Sequence, residues 1–179
     1  MPAITIATVG SIAAGAAGII TAGAGAVAAL ATAAGAIWAL GDELQEMYGE
    51  DVANAFKGIS GQLTELTADM GDTPARKLLS GAATITDSAA NAAIGDNNNR
   101  IVKIQRTLRS INTTSGQLAG GVQQAGVMAG QAKTAYQATQ GMATGKRANA
   151  LLNQATEQLL KQQAILEEEN AAIRQARRS

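Results

Sequence analysis

Hydrophobic and polar positions divide the chain into four stretches with different patterns. Residues 1–41 carry no charged side chain, and their larger apolar residues stand in a background of Ala, Gly and Thr. Residues 42–95 combine acidic and apolar positions at roughly helical spacing, residues 96–99 are a polar run, and residues 100–179 are basic and rich in Gln. Residues 3–9 are a weak strand candidate, and no other stretch alternates as a strand would. The pattern predicts an all-α fold of elongated helices, assembled as an oligomeric bundle or tube.

The uncharged N-terminal segment is long enough for one membrane span or a helical hairpin. Small residues recur at every fourth position from Gly10 to Ala26, as in closely packed helices. A secretory signal peptide would need basic residues before Asp42, and there are none. A helix shielded inside an oligomer and a membrane-inserting segment both fit, and we favour insertion. The membrane-inserting residues are then Ile12, Gly18, Ile19, Ile20, Val27, Leu30, Ile37 and Trp38.

The middle of the chain reads as acidic amphipathic helices. Residues 42–70 predict one such helix, with Gly58 and Gly61 as potential break points. Thr73 and Pro74 are a capping side chain followed by Pro in the first turn, so they predict a second helix running to about Ile94. The polar run 96–99, entered through a glycine, predicts the clearest loop of the chain.

Residues 100–112 predict a basic amphipathic helix. Its apolar face holds Ile101, Ile104, Leu108 and Ile111, and the opposite side holds Arg100, Lys103, Arg106 and Arg109. These four cations predict contact with phosphates or anionic lipid headgroups. The alternative is a core-facing helix whose basic side is solvated or pairs with the acidic helix 42–70.

The last third of the chain predicts helical assembly. Residues 113–145 carry one charge, which suits a lumen lining, a packed bundle or a flexible linker. Residues 146–178 lack Gly and consist of strong helix formers. A seven-residue repeat there forms a seam of Leu152, Leu159, Leu166 and Ile173. The seam is narrow, so a larger helical assembly or an antiparallel helix pair suits it better than a dimeric leucine zipper. One copy has too few large apolar residues to cover this seam, so we expect a homo-oligomer and not a monomer.

Composition argues against an enzyme. The chain has neither Cys nor His, which removes disulfides, Cys-ligated metals and the commonest catalytic base. The carboxylate pairs Asp42/Glu46 and Glu65/Asp69 have helical spacing and read as solvated faces. We therefore expect no catalytic residue, no metal and no cofactor. The formal charge is zero overall, but it is −7 over residues 1–99 and +7 over residues 100–179. This split predicts a molecule with two differently charged ends, or subunits that pack acidic half against basic half, unless both halves are simply solvated helical faces.

Two resemblances indicate a function. The start MPAITIATVGSIAAGAAGIITAGAGAV, followed by Gln/Ala-rich helices, resembles small bacteriophage DNA-ejection proteins, including podovirus internal virion proteins and pilot proteins. This implies a virion protein that forms a helical conduit across the host envelope. The stretch ANALLNQATEQLLKQQAILEEENAAIRQARR is similar to the last helix of VirB5/TrbJ-type proteins of conjugative type IV secretion systems. That alternative implies a place in the periplasm or on the outer-membrane surface.

Both resemblances imply an oligomeric helical device that helps DNA cross a cell envelope. The expected partners are further copies of the chain, other virion or secretion-channel proteins, the membrane, and DNA through non-specific phosphate contacts. A structural or scaffolding subunit without a membrane role is the third hypothesis, and lipid binding discriminates it from the other two.

Overall fold

The computed structural model describes residues 6–81, 83–128 and 135–178, and the side chains of residues 17–81, 83–121 and 139–178. The helices in these ranges are α1 (Ile6–Tyr48), α2 (Glu50–Asp69), α3 (Pro74–Leu79), α4 (Asp87–Met128) and α5 (Ala135–Arg178). The described residues contain no strand. The prediction of an all-α fold of elongated helices is therefore confirmed.

The four long helices pack in the cyclic order α1, α2, α4, α5, each antiparallel to its neighbours. This is the up-down-up-down arrangement of a four-helix bundle. Because α2 has 20 residues and α1 has 43, α2 covers only part of the bundle's length. Beyond the end of α2, the short helix α3 takes its place and contacts α4 and α5.

The bundle has two hydrophobic clusters along its axis. The larger cluster lies where α1, α2, α4 and α5 meet, and its fully buried side chains include Leu30, Ile37, Leu44, Phe56, Leu63, Ile104, Leu118, Leu152 and Leu159. The smaller cluster lies beneath α3 and joins Ala75, Leu78, Leu79, Ala90, Ala93 and Ile173. A layer of buried polar side chains separates the two clusters.

The boundary between α1 and α2 lies at Gly49, not at the predicted break points. Gly49 has φ +90°, a conformation that side-chain-bearing residues rarely adopt, so it turns the chain where α1 ends. Glu50 and Asp51 then place negative charge on the first turn of α2, where the helix dipole favours it. Gly58 and Gly61 lie inside α2, so the suggested breaks there were wrong. Residues 42–48 continue α1 without interruption.

The predicted helix start at residue 74 is confirmed. The Thr73 side-chain oxygen accepts a hydrogen bond from the Arg76 backbone N–H at 3.2 Å, and Pro74 occupies the first turn. The helix itself ends at Leu79, far short of the predicted Ile94. Thr86 then caps α4 by accepting a hydrogen bond from the Ala89 backbone N–H at 3.2 Å.

The predicted loop at residues 96–99 was wrong. These residues lie inside α4, which runs unbroken from Asp87 to Met128. Asn97 is fully buried, and its side-chain amide donates to the Glu169 carboxylate at 3.0 Å. A buried hydrogen bond to a residue 72 positions away stabilises the helix against the local turn preference of Asn.

The four residues of the predicted oligomer seam are buried inside one copy of the chain. Leu152, Leu159, Leu166 and Ile173 are each 0% exposed. They face α1, α2, α3 and α4, so a second copy is not required to cover them, and that part of the argument was wrong. The antiparallel packing of α5 on α4 and α1 agrees with the predicted alternative. Homo-oligomerisation itself remains a prediction.

Candidate functional site

The first helix presents two different faces to its surroundings. Its inner face contributes Leu30, Ile37 and Leu44 to the larger hydrophobic cluster. Its outer face is exposed yet carries no charge between residues 17 and 41, and it consists of Ala17, Gly18, Thr21, Ala22, Ala24, Gly25, Ala28, Ala31, Thr32, Gly35, Trp38 and Ala39. A helix face in contact with water normally carries charged side chains. The outer face of α1 is therefore unusual for a surface that stays in water.

The predicted membrane-inserting residues divide between these two faces. Leu30 and Ile37 are fully buried, and Val27 packs against the same cluster. Ile19 and Ile20 are partly exposed, and Gly18 and Trp38 are exposed. The Ile12 side chain lies outside the described residues. Insertion of α1 into a bilayer would thus require its inner face to separate from α2 and α5.

Among the described residues, the stretch Ala17–Tyr48 is the one helix long and apolar enough to cross a membrane. Core helices of soluble proteins meet the same test, but such helices are mostly buried. In the most apolar 18-residue window of this stretch, 28% of the residues are buried. The stretch thus resembles a core helix on one side only.

A buried polar cluster joins α3, α4 and α5 near one end of the bundle. The Arg76 Nε of α3 donates to the Glu169 carboxylate of α5 at 2.9 Å, and Arg76 Nη1 donates to the Met70 carbonyl at 2.6 Å. The Asn97 amide of α4 donates to Glu169 and, at 3.2 Å, to Asn170. Arg76 and Glu169 are 7% and 0% exposed. The ion pair joins α3 to α5, and the Asn97 hydrogen bonds add α4, so the three helices are held in one register.

The same arginine sets how closely α1 approaches the bundle. A Cβ atom built on Gly23 would lie 2.5 Å from Arg76 Nη2 and 3.1 Å from its Cζ. Glu169 and the Met70 carbonyl hold the guanidinium in place, so it cannot move aside without losing those hydrogen bonds. Gly23 is therefore a close-contact position between α1 and α3.

This contact leads to a paired prediction. Gly25→Ala is expected to raise the free energy of unfolding by about 0.5–1 kcal/mol, because Ala is the better helix former and nothing lies within 4 Å of the added Cβ. Gly23→Ala is expected to lose this gain and to lower stability, because of the Arg76 contact. Urea unfolding followed by circular dichroism measures both. An equal gain from both substitutions would show that α1 does not pack on Arg76.

The predicted basic row on α4 is partly neutralised within the chain. Arg100 forms an ion pair with Asp96 at 2.9 Å and donates to the Asp69 carbonyl. Lys103 binds the carboxylates of Asp69 and Glu65 on α2, and these hydrogen bonds raise the pKa of Lys103 above its ordinary value. The alternative in which the basic helix pairs with the acidic helix thus describes these two cations.

The other two cations of the basic row are not neutralised by described residues. Arg106 and Arg109 are exposed, and neither side chain has a hydrogen-bond or ion-pair partner among the described residues. Only a small part of the charge asymmetry is therefore neutralised between α2 and α4 of one copy, through Lys103 with Glu65 and Asp69. The contact of these residues with phosphates remains a prediction.

Sequence reasoning missed a second basic group, at the end of α5. Arg174, Arg177 and Arg178 line a groove of about 490 Å³ together with Asn91 and Ile94 of α4. Two features of the sequence could have indicated this group. No acidic residue follows Glu169, and Arg177 and Arg178 lie three and four positions after Arg174, on one face of a helix.

The described residues contain no candidate metal site. Within them, no group of three or more acidic, Cys or His side chains could hold a metal ion. The buried carboxylate, Glu169, is bonded to Arg76 and Asn97. No family model, curated protein or solved structure matches this chain. The exposed, uncharged surface of α1 and the charges around it are the features that bear on function.

Proposed function

We propose that this protein inserts α1 into a lipid bilayer as part of an envelope-crossing conduit for DNA, in the manner of phage ejection proteins. It does so as a non-enzymatic helical protein that is carried in the virion and then enters the host cell envelope. The observation that carries the proposal is the exposed, uncharged face of α1 from residue 17 to residue 41. Transfer of such a face from water to lipid costs little free energy, because the face carries no charge that a bilayer would exclude.

The inner face of α1 can be covered equally well by protein or by lipid. Leu30 and Ile37 are buried against the bundle in this state. Lipid tails are as apolar as Leu, so these side chains would stay out of water after insertion. Backbone hydrogen bonds within α1 are preserved because the segment is already a helix. Release from the bundle therefore exchanges one apolar environment for another.

The acidic end of α1 limits how far the helix enters. Asp42, Glu43 and Glu46 follow the uncharged stretch directly. A carboxylate at the middle of a bilayer costs about 2.5–3.5 kcal/mol on insertion scales, so these residues favour the aqueous side. Gly49 lies just beyond them, where α1 joins α2. A conduit of several copies would assemble through surfaces other than the α5 repeat, which one copy buries.

Dye release from liposomes tests the insertion of α1. The full chain is expected to release dye, and Ala24→Arg is expected to suppress release, because it places a charge in the middle of the exposed face. The cost of about 2.5–3.5 kcal/mol corresponds to roughly a hundredfold shift in the insertion equilibrium. Ala164→Arg, an exposed alanine of α5, is the matched control and should leave release unchanged.

A structural helical subunit without a membrane role is the second candidate. The complete burial of Leu30 and Ile37 inside one copy favours it, because a permanent core helix would look the same on that face. The liposome experiment separates the two candidates. If the full chain releases no more dye than the Ala24→Arg variant and neither exceeds protein-free liposomes, the structural subunit is the better account.

A further inference from the structure

The arginine groove at the end of α5 lies at the same end of the bundle as the amino-terminal part of α1. The two helices are antiparallel, since Glu43 and Arg147 approach within 3.5 Å toward one end and Gly23 contacts Arg76 toward the other. Arg76 in turn binds Glu169, so the residues of α1 before Gly23 run toward the last turns of α5. The groove and the leading part of the uncharged helix therefore lie at the same end of the bundle.

The groove carries more positive charge than its acidic neighbours among the described residues balance. Arg177 forms an ion pair with Asp87 at 2.5 Å and donates to the Asn91 side chain at 3.0 Å. Arg174 and Arg178 are exposed and have no hydrogen-bond or ion-pair partner among the described residues. The lining of the groove contains no carboxylate, so two guanidinium groups are free to bind an anion.

We propose that Arg174 and Arg178 bind the phosphate of an anionic phospholipid headgroup. Guanidinium groups suit this role because they match phosphate oxygens with paired N–H donors. The inference rests on the proposed function. Headgroup binding by these arginines would bring a bilayer to the end of the bundle where α1 enters it. A cluster confined to the tip of a bundle contacts few phosphates, whereas duplex binding typically neutralises about 6–10. The lipid surface is therefore the favoured source of phosphate.

Vesicle binding by the full-length chain tests the assignment. The variant Arg174→Gln/Arg178→Gln is compared with Arg106→Gln/Arg109→Gln, which also removes two exposed, unpaired arginines and so changes the net charge equally. Each basic residue at an anionic membrane is worth about fivefold in binding. We expect the α5 variant to lose about 25-fold in affinity for phosphatidylglycerol-containing vesicles. The α4 variant should lose less than about fivefold in affinity for the same vesicles.

Three further arms decide the source of the phosphate. Vesicles of phosphatidylcholine alone should bind the native chain and the α5 variant equally. Inorganic phosphate at matched ionic strength should not displace anionic vesicles, and displacement would identify a free-anion site and overturn the assignment. Duplex DNA should bind the native chain and the α5 variant alike, and a loss of DNA binding in the α5 variant would identify a nucleic-acid surface instead.

The outcome for the arginine groove is separable from the outcome for α1. Binding to anionic vesicles that depends on Arg174 and Arg178, without dye release, would support the groove and contradict the insertion of α1. Dye release with equal vesicle binding by both double variants would support insertion and overturn the groove as the lipid site.

Discussion

Glu169→Ala is expected to lower the free energy of unfolding by about 3–5 kcal/mol, because it leaves a buried guanidinium without its counter-charge. Arg76 is 7% exposed and would keep only its backbone carbonyl partners. The same change removes one acceptor of the Asn97 amide, the Glu169 carboxylate at 3.0 Å. Urea unfolding followed by circular dichroism measures the loss as a lower midpoint with an unchanged slope.

Two controls separate the buried ion pair from a general effect of substitution. Arg76→Met combined with Glu169→Leu removes both charges and is expected to recover most of the loss, because apolar residues of similar volume replace a desolvated pair. Glu157→Ala removes an exposed carboxylate that pairs with Lys161, and it should leave the midpoint unchanged. A loss from Glu169→Ala no larger than that from Glu157→Ala would show that the polar cluster is open to solvent.

Leu159→Asp is expected to abolish cooperative folding of the chain. Leu159 is 0% exposed in the larger cluster, so the substitution combines a lost apolar contact with an unpaired buried charge. Loss of the side chain alone, in Leu159→Ala, should cost about 2–5 kcal/mol. Circular dichroism should show loss of helix signal in the Asp variant at every protein concentration.

The neighbouring residue supplies the control for this prediction. Leu160 is 52% exposed, so Leu160→Asp should leave the helix content and the unfolding midpoint close to those of the native chain. Light scattering on the same samples tests the original seam hypothesis. If Leu159→Asp kept the helix signal but gave a smaller oligomer, the α5 repeat would be an exposed contact between copies and not part of the core of one copy.

Local patterns were sufficient for the helical class and for several helix ends. Thr73 followed by Pro74 is a capping signal that acts through neighbouring residues, and α3 begins there. The seven-residue repeat of α5 correctly marks a buried stripe. The helices that cover this stripe could not be predicted. A repeat shows which positions are apolar, but it does not show which other helices pack on them.

Features that depend on distant contacts were missed. Asn97 lies in a run that is typical of a loop, yet its bond to Glu169 places it inside α4. Gly49 ends α1, while Gly58 and Gly61 are accommodated within α2 because Phe56, Ile59 and Leu63 anchor that helix in the core. The arginine groove combines side chains from α4 and α5, which only the folded chain brings together.

The central claim is that α1 leaves the bundle and enters a bilayer. A reversible disulfide between α1 and α2 tests it, because the chain has no cysteine of its own. The Ser60 hydroxyl donates to the Ala34 carbonyl at 2.8 Å, so the two helices are close at these positions. The variant Ala34→Cys/Ser60→Cys, with the bond verified by mass spectrometry, holds α1 against α2 when oxidised.

Dye release from phosphatidylglycerol-containing vesicles is then measured with this variant before and after reduction, beside both single-cysteine variants. The account predicts that the oxidised protein binds the vesicles without releasing dye, that reduction restores release to the native level, and that the single variants release dye in both conditions. Equal release by the oxidised and reduced protein would contradict the account, because it would show that α1 need not separate from the bundle to act on the membrane.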